Sequence, residues 1–139
     1  MRPRRPRALL FVAAVALVGL AGCLDASCQN TIVSDITAPG SRLRAVMFDR
    51  SCGATTDSST QVALLIPGQK PEGGNIFVAD ADHGAAARGG WGGPWARLRW
   101  DGPHKLNIDY ARHTRVFMAR RQFMSVHTDF TEVDAPPGP

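Results

Sequence analysis

The chain has no apolar run long enough to cross a bilayer as a helix, no internal repeat, and only three cysteines in 139 residues. Each shortage closes off a class of protein. The longest apolar stretch, Ala8 to Ala21, falls short of the roughly 20 residues that a helix needs to span hydrocarbon about 30 Å thick. The lack of a repeat excludes propellers and solenoids, which need several copies of one unit to bury a continuous core. A surplus of basic charge is also missing once the first segment is set aside. Removing 22 of the 139 residues leaves 117, which suits one small domain. Four of the 16 basic residues (Arg2, Arg4, Arg5, Arg7) leave with that segment and no acid does, so 12 basic side chains face 12 acids. The whole-chain charge of +4 therefore belongs to the N-terminus. Nucleic-acid binding, which rests on a Lys and Arg surplus against phosphate, loses its support.

What is present begins with "MRPRRPRALLFVAAVALVGLAGC". A basic stretch, an apolar stretch and small residues follow one another in the order of a secretory signal. The final tetrapeptide, Leu20-Ala21-Gly22-Cys23, resembles the lipobox of bacterial lipoproteins. The resemblance implies cleavage before Cys23, a diacylglycerol group on its thiol, and an acyl chain such as palmitate on the new amino group. At about 0.8 kcal/mol per buried methylene, two or three chains anchor a protein firmly where one would not. The lipid bilayer is then the expected partner and the cell envelope the expected location, with the domain facing the periplasm. Leu24 is not the aspartate that retains lipoproteins at the inner membrane, which leans towards the outer one. The alternative is an ordinary secretory signal cut near a cysteine.

With Cys23 carrying lipid, Cys28 and Cys52 remain in a compartment that permits disulfides. An even remainder favours a bridge, which would close a loop of about 25 residues and contribute on the order of 3 kcal/mol.

Hydrophobic alternation predicts an all-β mature chain with no long helix. It takes the form of a small antiparallel sandwich or curled sheet of about six to eight strands. Residues 1–22 are the signal, 23–40 a lipidated N-terminus and tether with "IVSDI" as a short first strand, 41–131 the domain, and 132–139 a disordered tail. Within the domain "RLRAVMFD" (42–49) reads as a strand buried on most of both faces, followed by "QVALLIP" (61–67) and "NIFVAD" (75–80). Residues 81–95 read as irregular, with one helical turn at 85–88. "ARLRWD" and "KLNIDY" form a hairpin that places Leu98, Trp100, Leu106 and Ile108 inside, with arginines facing Asp109 across the wet side. "RVFMARRQFMSVHTDF" gives one long bent strand or two short ones.

"LRAVMFDRSCGATTDSSTQVALL" (43–65) and "GGNIFVADADHG" (73–84) together resemble small bacterial lipoproteins in which a "CGATT" segment and a "GNIFVAD"-like strand recur in this order. The resemblance covers about half the mature chain. It implies a small envelope domain and supplies no catalytic residue. Asp57 stands where a glycine often occurs in that pattern, which matters only if the site needs a left-handed backbone.

Candidate chemistry is limited. Cys52 as a nucleophile would need a histidine base, and His83, His104, His113 and His127 are available, but no thiol-enzyme signature surrounds it. The hydroxyl run "ATTDSST" lacks the Gly-x-Ser-x-Gly elbow of a serine hydrolase and reads as a turn. Asp80, Asp82 and His83 would serve a divalent metal, although further ligands and a His-x-x-x-His helix are missing. Trp91 and Trp95, on "RGGWGGPW", would offer a stacking platform for a sugar or a peptidoglycan fragment, would rest on the headgroup layer, or would fold onto the sheet. The segment lacks the Lys-Ser/Thr ending of a phosphate loop. The expectation is an envelope lipoprotein with no cofactor, acting as a non-enzymatic binding or structural module towards an envelope protein or the cell wall. The alternatives are a small enzyme using Cys52 or a histidine, and a metal-binding module at Asp80, Asp82 and His83.

Overall fold

The computed structural model describes residues 27–136. The signal segment 1–22, Cys23 with its lipobox, and residues 137–139 lie outside the described residues. Nine strands run through the described part: β1 (Gln29–Thr37), β2 (Arg44–Ser51), β3 (Ser59–Leu65), β4 (Phe77–Asp80), β5 (Ala96–Trp100), β6 (Lys105–Ala111), β7 (Arg115–Ala119), β8 (Gln122–Phe123) and β9 (Val126–Val133). They form two sheets, one ordered β1-β2-β3-β4-β7 and the other β5-β6-β9-β8. The protein is an all-β sandwich.

The alternation of apolar residues explains the layering. Ala45, Met47, Val62, Leu64 and Phe77 from the first sheet meet Ala96, Leu106, Ile108 and Val126 from the second in one core. Each fully buried aliphatic or aromatic side chain there contributes about 1.5–3 kcal/mol relative to exposure. The Phe77 ring lies 5.5 Å from Tyr110 and 5.8 Å from Phe130, which joins the two sheets through aromatic contact.

β2 and β3 are buried on their other face as well, where Val46, Phe48, Ala63 and Leu65 form a second apolar cluster. The segment between β3 and β4 folds back over that face. The Arg44 and Arg50 guanidiniums, which flank Val46 and Phe48 on the same side of β2, donate to the carbonyls of Gln69 (3.2 Å) and Glu72. Asn30 donates to Pro71 O at 2.8 Å, and Gly74 N–H donates to the Gln61 side chain at 2.7 Å. Clasped this way, the segment makes a flap over apolar surface. A depression of about 450 Å³ lies at the flap, lined by Leu65, Gln69, Lys70, Glu72, Gly73 and Asn75.

The β5–β6 hairpin forms in the expected register, with Arg97 opposite Asp109 and their side chains 2.6 Å apart. The last third differs in detail. β7 lies in the first sheet and β8 in the second, so 115–123 is a bent strand that changes sheet at Arg120–Arg121. A turn with Met124 at φ 53° then returns the chain as β9. Because the chain has crossed to the other sheet and back, β9 reaches β6 in the same direction, and the two pair parallel from Lys105↔His127 to Ala111↔Val133. This is the one parallel ladder among the described strands.

Both ends of the domain reach further than expected. β1 pairs with β2 along its length, from Gln29↔Ser51 to Thr37↔Arg44, so the first sheet starts within the segment assigned to the tether. At the other end β9 runs to Val133, Arg112 N–H donates to Val133 O at 2.9 Å, and Ala135 packs on Ala81, Ala86 and Ala111. Residues 132–135 are therefore part of the fold, because β6 gives them a ladder partner that no local pattern reveals.

Candidate functional site

Strand directions bring the chemistry-bearing segments to one end of the sandwich. β2 ends there at Ser51, β3 begins at Ser59, β4 ends at Asp80, and β5 and β7 begin at Ala96 and Arg115. The "CGATT" loop, the loop 81–95 and the turn 112–114 consequently lie together, beside the start of β1. The opposite end carries the turn 101–104 and the turn 124–125, while the flap runs along the outer face from Gln69, beside Arg44 at that end, to Pro71 and Glu72, beside Asn30 and Arg50 at the disulfide end.

Cys28 and Cys52 are bridged, with their Cα atoms 4.0 Å apart. The bridge continues the β1–β2 ladder by one step beyond Gln29↔Ser51. It therefore fixes both the start of the domain and the base of the loop. The thiol of Cys52 is used in the bond, so it is not a nucleophile in this state. His104 and His127 lie at the far end, where His104 Nδ1 meets Ser125 O at 3.1 Å and His127 Nε2 meets Asp129 at 3.1 Å.

The expected helical turn at 85–88 forms earlier, as a 3-10 turn at Asp82–Gly84. The Asp80 carboxylate accepts the Asp82 N–H at 2.9 Å, which starts the turn as soon as β4 ends. Asp82, His83 and Gly84 then take left-handed backbone in succession (φ 45°, 56° and 93°). Asp80 is also held by Arg115 through Nε at 3.0 Å and Nη2 at 2.5 Å, and Arg115 Nη1 lies 3.6 Å from Asp82. Burial works to raise the Asp80 pKa, but the Arg115 and Asp82 hydrogen bonds outweigh it and hold the carboxyl below its ordinary value. Both Asp80 oxygens are therefore engaged, and His83 is exposed. Among the described residues no group of three or more His, Cys, Asp and Glu side chains is placed to hold a metal ion.

Residues 87–95 close into a small hairpin through an Arg88↔Pro94 bridge, with Gly89 N–H donating to Gly93 O and Trp95 N–H to Ala87 O, both at 2.9 Å. Trp91, at its tip, folds back onto the sandwich. Its indole N–H donates to the Thr60 hydroxyl at 2.9 Å, and that hydroxyl donates to Pro94 O at 2.7 Å. Thr60 is fully buried. Gly93 makes this closure feasible, since a Cβ there would stand 2.5 Å from Thr60 Oγ1 and 2.9 Å from its backbone nitrogen. Trp95 is half-buried against Ala81, Ala86 and Ala111, with the Arg97 guanidinium 5.9 Å from its ring. Both indoles thus pack against the body of the sandwich, Trp91 on the main core and Trp95 on the Ala81, Ala86 and Ala111 cluster.

Asp49 completes the cluster, and sequence reasoning passed it over. It pairs with Thr60 across β2–β3 and faces the core side of the sheet. Only 8 % of Asp49 is exposed, its Oδ1 accepts no hydrogen bond from the described residues, and Ser58 Oγ lies 3.3 Å from Oδ2. Burial raises the Asp49 pKa, and the Ser58 contact offsets this only in part. Its one sequence signal was an acid at an inward position of a strand otherwise apolar on that face. Asp57 does not take left-handed backbone, whereas Gly53 does (φ 116°). Asp57 instead faces Arg88 at 3.8 Å, joining the two loops.

The loop after "CGATT" and the "RGGWGGPW" segment therefore meet through Arg88–Asp57, while Thr60 of β3 holds Trp91 and the disulfide ties the base of the first loop to β1. Comparison with known proteins finds no matching family model, no matching curated protein and no matching solved structure.

Proposed function

We propose that this chain is a bacterial envelope lipoprotein, anchored through an acylated Cys23 and presenting a non-enzymatic binding or structural domain to the periplasm, with the outer membrane as its place. The observation that carries this reading is the pairing of Cys28 with Cys52. It leaves Cys23, at the end of the lipobox-like Leu20-Ala21-Gly22-Cys23, as the one remaining cysteine. A disulfide also suits an oxidising compartment. The likeness to small lipoproteins with a "CGATT" segment points the same way. A binding or structural role fits the loop cluster, where Asp80, Thr60 and Trp91 are engaged by partners inside the fold.

The test is metabolic labelling with a palmitate analogue in a bacterial host, with mass analysis of the mature N-terminus. The expected product begins at Cys23 and carries acyl chains, and Cys23→Ala abolishes the label. A mature chain that begins elsewhere and carries no lipid mass would overturn the reading.

A further inference from the structure

We infer that the end of the sandwich formed by the loops 53–58 and 81–95 and the turn 112–114 lies against the phospholipid headgroup layer of the membrane that holds Cys23. This rests on the lipoprotein reading and adds an orientation to it.

Tether length carries the argument. The bridge to Cys52 and the Gln29↔Ser51 pairing fix Cys28 at this end of the first sheet. Five residue steps separate Cys23 from Cys28, and fully extended chain covers at most about 3.6 Å per residue, so the exit point lies within roughly 18 Å of the anchor. β2 has eight residues, which at about 3.3 Å each makes the sheet roughly 26 Å long. Inverting the domain, with the turns 101–104 and 124–125 on the bilayer, would lift Cys28 further from the surface than the tether reaches.

The surface at this end suits a polar layer. Arg88, Arg112 and Arg115 are paired with Asp57, Asp134 and Asp80, so no single sign of charge dominates. The exposed large apolar side chains of the described part are Ile32, Ile66, Phe117 and Met124, and none belongs to these three segments. Contact with headgroups rather than insertion among acyl chains follows, and it depends on the high effective concentration that the tether imposes. The turns 101–104 and 124–125 then face away from the membrane.

The experiment uses residues 23–139, which contain the whole described fold. Their single unbridged thiol, Cys23, is coupled to vesicles of phosphatidylethanolamine and phosphatidylglycerol bearing a maleimide lipid. Amide hydrogen exchange is compared with the same protein coupled to a small soluble maleimide. Slower exchange confined to 53–58, 84–93 and 112–114, with 101–104 and 124–125 unchanged, is the expected result. Equal exchange in both forms, or protection centred on 67–74 or along β1, would overturn the orientation. Because the coupling is chemical, this outcome is independent of acylation in cells, which the palmitate experiment measures separately.

Discussion

Trp91 and Thr60, 31 positions apart in sequence, share a hydrogen bond of 2.9 Å from indole N–H to hydroxyl, and the hydroxyl in turn donates a hydrogen bond to Pro94 O. One buried side chain thereby satisfies a donor and an acceptor from the glycine-rich loop, and the loop is held closed over the end of the sandwich.

Thr60→Val keeps the shape and removes both bonds. The indole N–H and the Pro94 carbonyl lose their partner, at a cost of about 2 kcal/mol. Urea unfolding at neutral pH should show that loss, with a shift of tryptophan emission to longer wavelength as Trp91 gains water. Unchanged stability and emission would mean that the bond does not close the loop.

Asp49 offers a test with a defined sign. Its folded pKa is raised by burial. A carboxyl raised in the folded state favours the protonated form, so folding is disfavoured progressively as pH rises from the unfolded pKa through the folded one. Asp49→Asn should therefore leave stability nearly unchanged at acid pH and increase it at neutral pH, the gain levelling off above the folded pKa. Stability curves of the two proteins across pH 3–8, on the order of that window, should diverge upward with pH. Parallel curves would show that Asp49 is not the group responsible.

Reduction of the Cys28–Cys52 bridge should lower stability by about 3 kcal/mol, since the bond closes a loop whose ends are 24 positions apart. The first changes should appear at the start of β1 and in the "CGATT" loop, read by hydrogen exchange in the reduced protein. Cys28→Ser/Cys52→Ser should behave like the reduced form.

The flap depends on two arginines. Arg44→Ala/Arg50→Ala removes the guanidiniums that hold the Gln69 and Glu72 carbonyls, so exchange across 66–75 should quicken while the β6–β9 ladder keeps its protection. Because Val46, Phe48, Ala63 and Leu65 lie beneath, the variant should also bind a hydrophobic dye more strongly. No change in either measurement would place the closure of the flap elsewhere.

Local pattern made much of this legible. Apolar runs located the β2, β3 and β4 segments, β2 and β3 being buried on both faces, and period-2 alternation located the β5–β6 hairpin, because burial leaves its mark on sequence one residue at a time. Cysteine arithmetic pointed to the Cys28–Cys52 pair because two thiols allow only one intramolecular bridge. The hairpin register, with Arg97 against Asp109, followed from a short turn between two alternating runs. Other features required the whole chain. The parallel β6–β9 ladder, the extension of the fold to Ala135 and the change of sheet at Arg120–Arg121 depend on partners distant in sequence. The meeting of Asp49, Ser58 and Thr60 with Trp91 is of the same kind. Sequence by itself determined the fold class and the staple, since both arise from side-chain type and spacing along one segment. Tertiary structure alone decided which loops share an end, because strand direction within a sheet is fixed by how the ladders close, and no residue records that locally.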